Sequence, residues 1–61
     1  MRLTEYAQTY GVRTDSGLAF PSRELADHYA SLRCQAWGGN LAYLGAEEKD
    51  GLFYPEFNLF D

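Results

Sequence analysis

Cysteine occurs once in this chain, as Cys34. That excludes an internal disulfide and any metal site built from several thiolates. Histidine also occurs once, as His28, and lysine once, as Lys49. Proline occurs twice, and both Pro21 and Pro55 read as strand ends. No apolar run reaches signal-peptide length, still less the roughly 18 residues of a membrane span. The expectation is a cytoplasmic protein that begins at its own initiator, Met1.

Apolar and aromatic residues are not scarce. Hydrophobic residues make up 46% and aromatics 16% of the 61 residues. A chain this apolar and this modestly charged folds rather than staying disordered. Its length suits one domain, residues 1–61, with a single small core.

Positive charge is lacking in one half only. Residues 1–37 hold Arg2, Arg13, Arg23 and Arg33 against Glu5, Asp15, Glu24 and Asp27, and so are neutral. Residues 38–61 hold Lys49 against Glu47, Glu48, Asp50, Glu56 and Asp61, so the whole net charge of −4 lies there. This imbalance argues against direct binding to nucleic acid or anionic lipid. A basic protein surface is the natural attractive partner.

The spacing predicts an α+β domain of order β-β-α-β-β. In "LTEYAQTYGVRT", Tyr6, Tyr10 and Val12 fall on even positions and Glu5, Thr9 and Arg13 on odd ones. That is the period of a half-buried strand, interrupted by Gln8. "TDSG" reads as a turn, with Gly17 free to take a positive φ, and a short strand follows from Leu18 to Phe20. Ser22 is a good N-cap for a helix from Arg23 to Trp37 that Gly38-Gly39 stops. Its apolar stripe includes Leu25, Tyr29, Leu32 and Ala36, expected to be mostly buried, and Trp37, read as a core lid over the sheet or else as an exposed anchor for a partner. "NLAYLG" reads as a third strand, "EEKDG" as a hairpin loop and "LFY" as a fourth strand closed by Pro55. "EFNLFD" carries no clear signature. An antiparallel sheet with the helix across one face is the simplest packing.

Little in the chain suggests catalysis. His28 and Cys34 are six residues apart on the helix, which places them on different sides. Glu47, Glu48 and Asp50 lack the ligand spacing of a calcium loop. Gly38 and Gly39 precede a strand and do not form a phosphate-binding loop. The expectation is no catalytic residue, no metal, no cofactor and no enzyme activity.

The segment "EEKDGLFYPEFNLFD" stands apart, with five carboxylates, four aromatics and one lysine in 15 residues. Read plainly, its rings complete the core and its acids keep the chain soluble. Read functionally, acids around exposed rings suit a basic groove, where charge speeds encounter and rings anchor. The candidate partner-binding residues are Glu47, Glu48, Asp50, Tyr54, Glu56, Phe57, Phe60 and Asp61. Phe57 and Phe60 are either core residues or exposed anchors.

The stretch "YGVRTDSGLAFPSRELADHYA", residues 10–30, resembles a "GVR…G…FPSRE.A…A" pattern of small bacteriophage-encoded proteins. The resemblance implies a hairpin followed by a helix. It also implies a host-takeover or anti-defence inhibitor, with anti-CRISPR proteins as one such class. Some of those cover the DNA-binding groove of a Cas effector. The resemblance carries over no catalytic residue, and the acidic segment lies outside it. The leading expectation is a non-enzymatic inhibitor whose acidic C-terminal half covers a basic nucleic-acid site on a host defence protein. The alternatives are a self-associating homodimer and a nucleic-acid-binding module using Tyr6, Tyr10 and the arginines.

Overall fold

The structure, a computed structural model, describes residues 2–60. Met1 and the candidate residue Asp61 lie outside the described residues. The element order is α1 (Leu3–Tyr10), β1 (Val12–Thr14), β2 (Gly17–Ala19), α2 (Arg23–Trp37), β3 (Leu41–Lys49) and β4 (Leu52–Leu59). This is a small α+β fold, as the sequence implies, with an added helix at its start. No helix among the described residues is long and apolar enough to cross a membrane.

The first element corrects the strand reading. Leu3, Tyr6, Ala7 and Tyr10 recur at spacings of three and four, so they share one helical face. Tyr6 and Tyr10 fit a period of two and a period of four equally well, and Gln8 is the residue that fits only the helix. Their ring centroids are 4.8 Å apart. The Tyr6 hydroxyl donates to the Leu25 carbonyl at 2.9 Å, which ties α1 to α2. Gly11 ends α1, its N–H bonded to the Ala7 carbonyl.

Only Val12–Thr14 of the expected first strand pairs with β2. The turn between them holds Gly17 at φ 114°, which suits glycine. Phe20 then forms an isolated antiparallel bridge with Phe53 of β4. Its two backbone bonds measure 2.8 and 2.7 Å. The four strands are thus two hairpins, β1-β2 and β3-β4, joined at this one bridge.

Helix α2 has the expected bounds. The Ser22 hydroxyl accepts from the Leu25 N–H, and Gly38 closes the helix in the left-handed region at φ 71°. Ala26, Tyr29 and Ala30 are buried, with Leu25 and Leu32 half-buried. Ala36 is exposed, and Trp37 keeps 51% of its surface in solvent. Both are in phase with the stripe but sit on its last turn, past the core cluster. The indole N–H of Trp37 turns instead to the Asn40 Oδ1 at 3.1 Å. It is not a lid.

The second hairpin is longer than expected. The chain reverses at Asp50-Gly51, with φ 55° and 81°, a two-residue turn of the kind that suits hairpin twist. Glu47 and Glu48 therefore belong to β3, paired with Tyr54 and Phe53, and not to a loop. Pro55 does not close β4, which continues to Leu59. Phe53 points both backbone groups at Phe20, away from β3. Pro55, two residues on, turns its nitrogen the same way, so no bond to β3 is lost.

The core is aromatic. Phe20 is fully buried, with Tyr6, Ala26 and Tyr29 around it. The Phe20 ring lies 5.1 Å from Tyr29 and 5.8 Å from Tyr6. Leu3, Ala7, Leu18, Ala46, Phe53 and Phe57 pack around this cluster.

Candidate interaction surface

The register of β3 and β4 sorts the candidate residues onto two faces. Glu47 pairs with Tyr54, Lys49 with Leu52 and Gly45 with Glu56, so Glu47, Lys49, Tyr54 and Glu56 share one face. Glu47 and Glu56 are diagonal neighbours there, roughly 7 Å apart by strand geometry. With Ser16 these four residues line a shallow depression of about 170 Å³. Tyr54 is held at its rim by the first hairpin. Its hydroxyl lies 3.0 Å from the Thr14 Oγ1. Thr14 donates its own proton to the Gly17 carbonyl, so Tyr54 is the donor in this pair.

The other face of the hairpin meets α2. Phe53, Phe57 and Ala46 pack against the core there. Phe57 is 5.5 Å from the Tyr43 ring, and the Arg33 guanidinium sits 4.5 Å above it. It is a packed residue and not an exposed anchor. Arg23 lies 5.1 Å over the Phe53 ring and donates to the Ala46 carbonyl at 3.1 Å. Glu48 alternates onto this side but stays exposed. Asp50 occupies the turn.

Phe60 is elsewhere. It is 52% exposed and donates its backbone N–H to the Asn40 carbonyl, at the open end of the hairpin. Eight residues of strand, at about 3.3 Å each, separate it from the acidic turn by roughly 25 Å. The seven candidate residues among those described are thus not one site. Glu47, Glu48, Asp50 and Tyr54 lie toward the turn end, Glu56 lies midway along β4 opposite Gly45, and Phe57 is packed inside. Phe60 stands at the far end beside Trp37 and Leu59, which are also half exposed.

Tyr43 joins α2 to β3, a contact that pattern reading does not reveal because its partners are 16 residues apart. Its hydroxyl donates to the Asp27 carboxylate at 2.7 Å. Burial, then this bond and the carboxylate's charge, push the phenol up to about 12, with Arg23 acting in the opposite sense. His28 is exposed, its ring 5.0 Å from that of Tyr6. Cys34 points its thiol at the Leu41 carbonyl, 3.8 Å away. Among the described residues, no three His, Cys, Asp or Glu side chains are grouped to hold a metal ion.

No family model, curated protein or solved structure matches the chain.

Proposed function

We propose that this chain is a non-enzymatic inhibitor, of the phage anti-defence kind, that acts by binding a basic partner protein. The turn end of the β3-β4 hairpin covers a Lys/Arg-rich nucleic-acid-binding surface, and the complex forms in the cytoplasm of a bacterial host. One observation carries the reading. Glu47, Glu48 and Asp50 are exposed toward that end and Glu56 midway along β4, four carboxylates against Lys49 on the hairpin and Arg23, which reaches over from α2 to Phe53 and the Ala46 carbonyl. Projecting carboxylates stand in for backbone phosphates, and their field speeds encounter. Tyr54, fixed by Thr14, supplies a rigid aromatic contact beside the acids. Phe57 takes no part, because it serves the core.

The test is competition for DNA on a purified Cas effector, read by fluorescence anisotropy. The chain displaces the DNA at low salt, and it does not shift free DNA in a gel. A chain that binds the free DNA would contradict the reading.

A second reading is self-association through the opposite end. Trp37, Leu59 and Phe60 each leave half or more of their surface exposed there. Sedimentation equilibrium distinguishes it, since it requires a concentration-dependent dimer that salt does not dissolve.

A further inference from the structure

A second concavity, of about 260 Å³, lies between α1, the first hairpin and α2, and shares no residue with the acidic depression. Its apolar lining is Leu3, Ala7, Leu18 and Tyr29, and its polar lining is Thr4, Gln8 and Arg13. The helix contributes Leu3, Thr4, Ala7 and Gln8 because residues four apart stack on one face. Gly11 lets the wall close. A Cβ at that position would come within 2.7 Å of Leu18 Cδ1 and 2.5 Å of the Ala7 carbonyl oxygen.

Two features give the concavity chemical character. Arg13 supplies the only charge on its lining, a guanidinium suited to a planar anion. Tyr29 supplies a hydroxyl with no hydrogen-bond partner among the described residues. The phenols of Tyr6, Tyr43 and Tyr54 are each bonded. Tyr29 is 8% exposed as a whole, yet its hydroxyl oxygen is not sealed from solvent, so it is free to bond to water or to a ligand. Thr4 and Gln8 add further donors.

We infer that this concavity binds a small carboxylic acid with an apolar body, its carboxylate on Arg13 and the Tyr29 hydroxyl and its body against Leu3, Ala7 and Leu18. The volume falls below the roughly 300–1,000 Å³ of sites for drug-sized ligands, so the ligand is compact and its affinity modest.

The probe is 3-phenylpropionate, titrated to ~20 mM into the ¹⁵N-labelled full chain and followed by amide shifts, a range set by weak binding of so small a molecule. Its alcohol and amine counterparts, 3-phenylpropan-1-ol and 3-phenylpropylamine, run beside it. Saturable shifts are expected at residues 3–8, Arg13, Leu18 and Tyr29, with the acid binding about tenfold more tightly than the alcohol. Arg13→Gln should remove that preference. Tyr29→Phe should weaken the acid severalfold and leave the melting temperature unchanged, because the lost hydroxyl has no protein partner. Absence of saturable shifts, equal binding of the alcohol or amine, or an undiminished affinity in Arg13→Gln would each overturn the inference.

Discussion

The phenol of Tyr43 on β3 and the carboxylate of Asp27 on α2 lie 2.7 Å apart, and this bond fixes the long hairpin against the helix. The phenol's pKa of about 12 stands above its ordinary value of 10.0. A raised pKa in the folded state means the neutral phenol is favoured there. Its stabilisation is present below pH 10 and lost as pH rises toward 12. Unfolding followed by urea from pH 8 to 12 should therefore show falling stability above pH 10. Tyr43→Phe should cost about 1 kcal/mol at neutral pH and flatten part of that decline. Tyr6, also raised by burial, accounts for a remainder.

Phe20 is the one large side chain among the described residues with no exposed surface, and its backbone also joins the two hairpins. Phe20→Ala should cost about 3–5 kcal/mol, which approaches the entire stability of so small a domain. Far-UV circular dichroism should show a chain largely unfolded at 37 °C. Phe20→Leu should fold with a lowered melting temperature.

Two glycines with unremarkable φ separate packing from backbone freedom. Gly11→Ala should destabilise by about 1–3 kcal/mol, because the new methyl meets Ala7 and Leu18. Gly39→Ala should change stability by less than about 0.5 kcal/mol, since nothing lies within 4 Å of its added Cβ. Thermal melts of the two variants test the contrast.

Phe57 and Phe60 should part company in the same assay. Phe57→Ala removes contacts to Tyr29, Tyr43 and Arg33 and should lower the melting temperature by several degrees. Phe60→Ala, at an exposed ring, should leave it nearly unchanged. If the open end mediates self-association, Phe60→Ala should also weaken the dimer seen in sedimentation.

What could be read in advance depended on local chemistry. Helix α2 was legible because Ser22 and Gly38 supply their own start and stop. Helix α1 was not, because Tyr6, Tyr10 and Val12 satisfy a strand pattern and Arg2 offers no side-chain cap. The reach of β3 and β4 is not legible in local chemistry. Glutamates suggested a loop, and Pro55 suggested an end, yet the direction of its nitrogen, set by pairing, makes it harmless. The acidity of the hairpin was visible in composition. The division of the candidate residues between two faces and two ends was not, because it follows from register and from the position of the Asp50-Gly51 turn.

If carboxylates at the hairpin turn do the binding, charge reversal of Glu47, Glu48 and Asp50 to lysine should weaken it. All three are exposed, but Asp50 holds a positive φ that suits aspartate better than lysine, so the triple variant should fold with a somewhat lowered melting temperature. Competition for DNA on the Cas effector should then be measured from about 0.05 M salt to 1 M, where the Debye length shrinks to roughly 3 Å. Wild-type competition should weaken as salt rises, mainly through a slower on-rate, and the triple variant should compete at least tenfold less well at low salt. A folded triple variant that displaces DNA as well as wild type at low salt would contradict binding through these carboxylates.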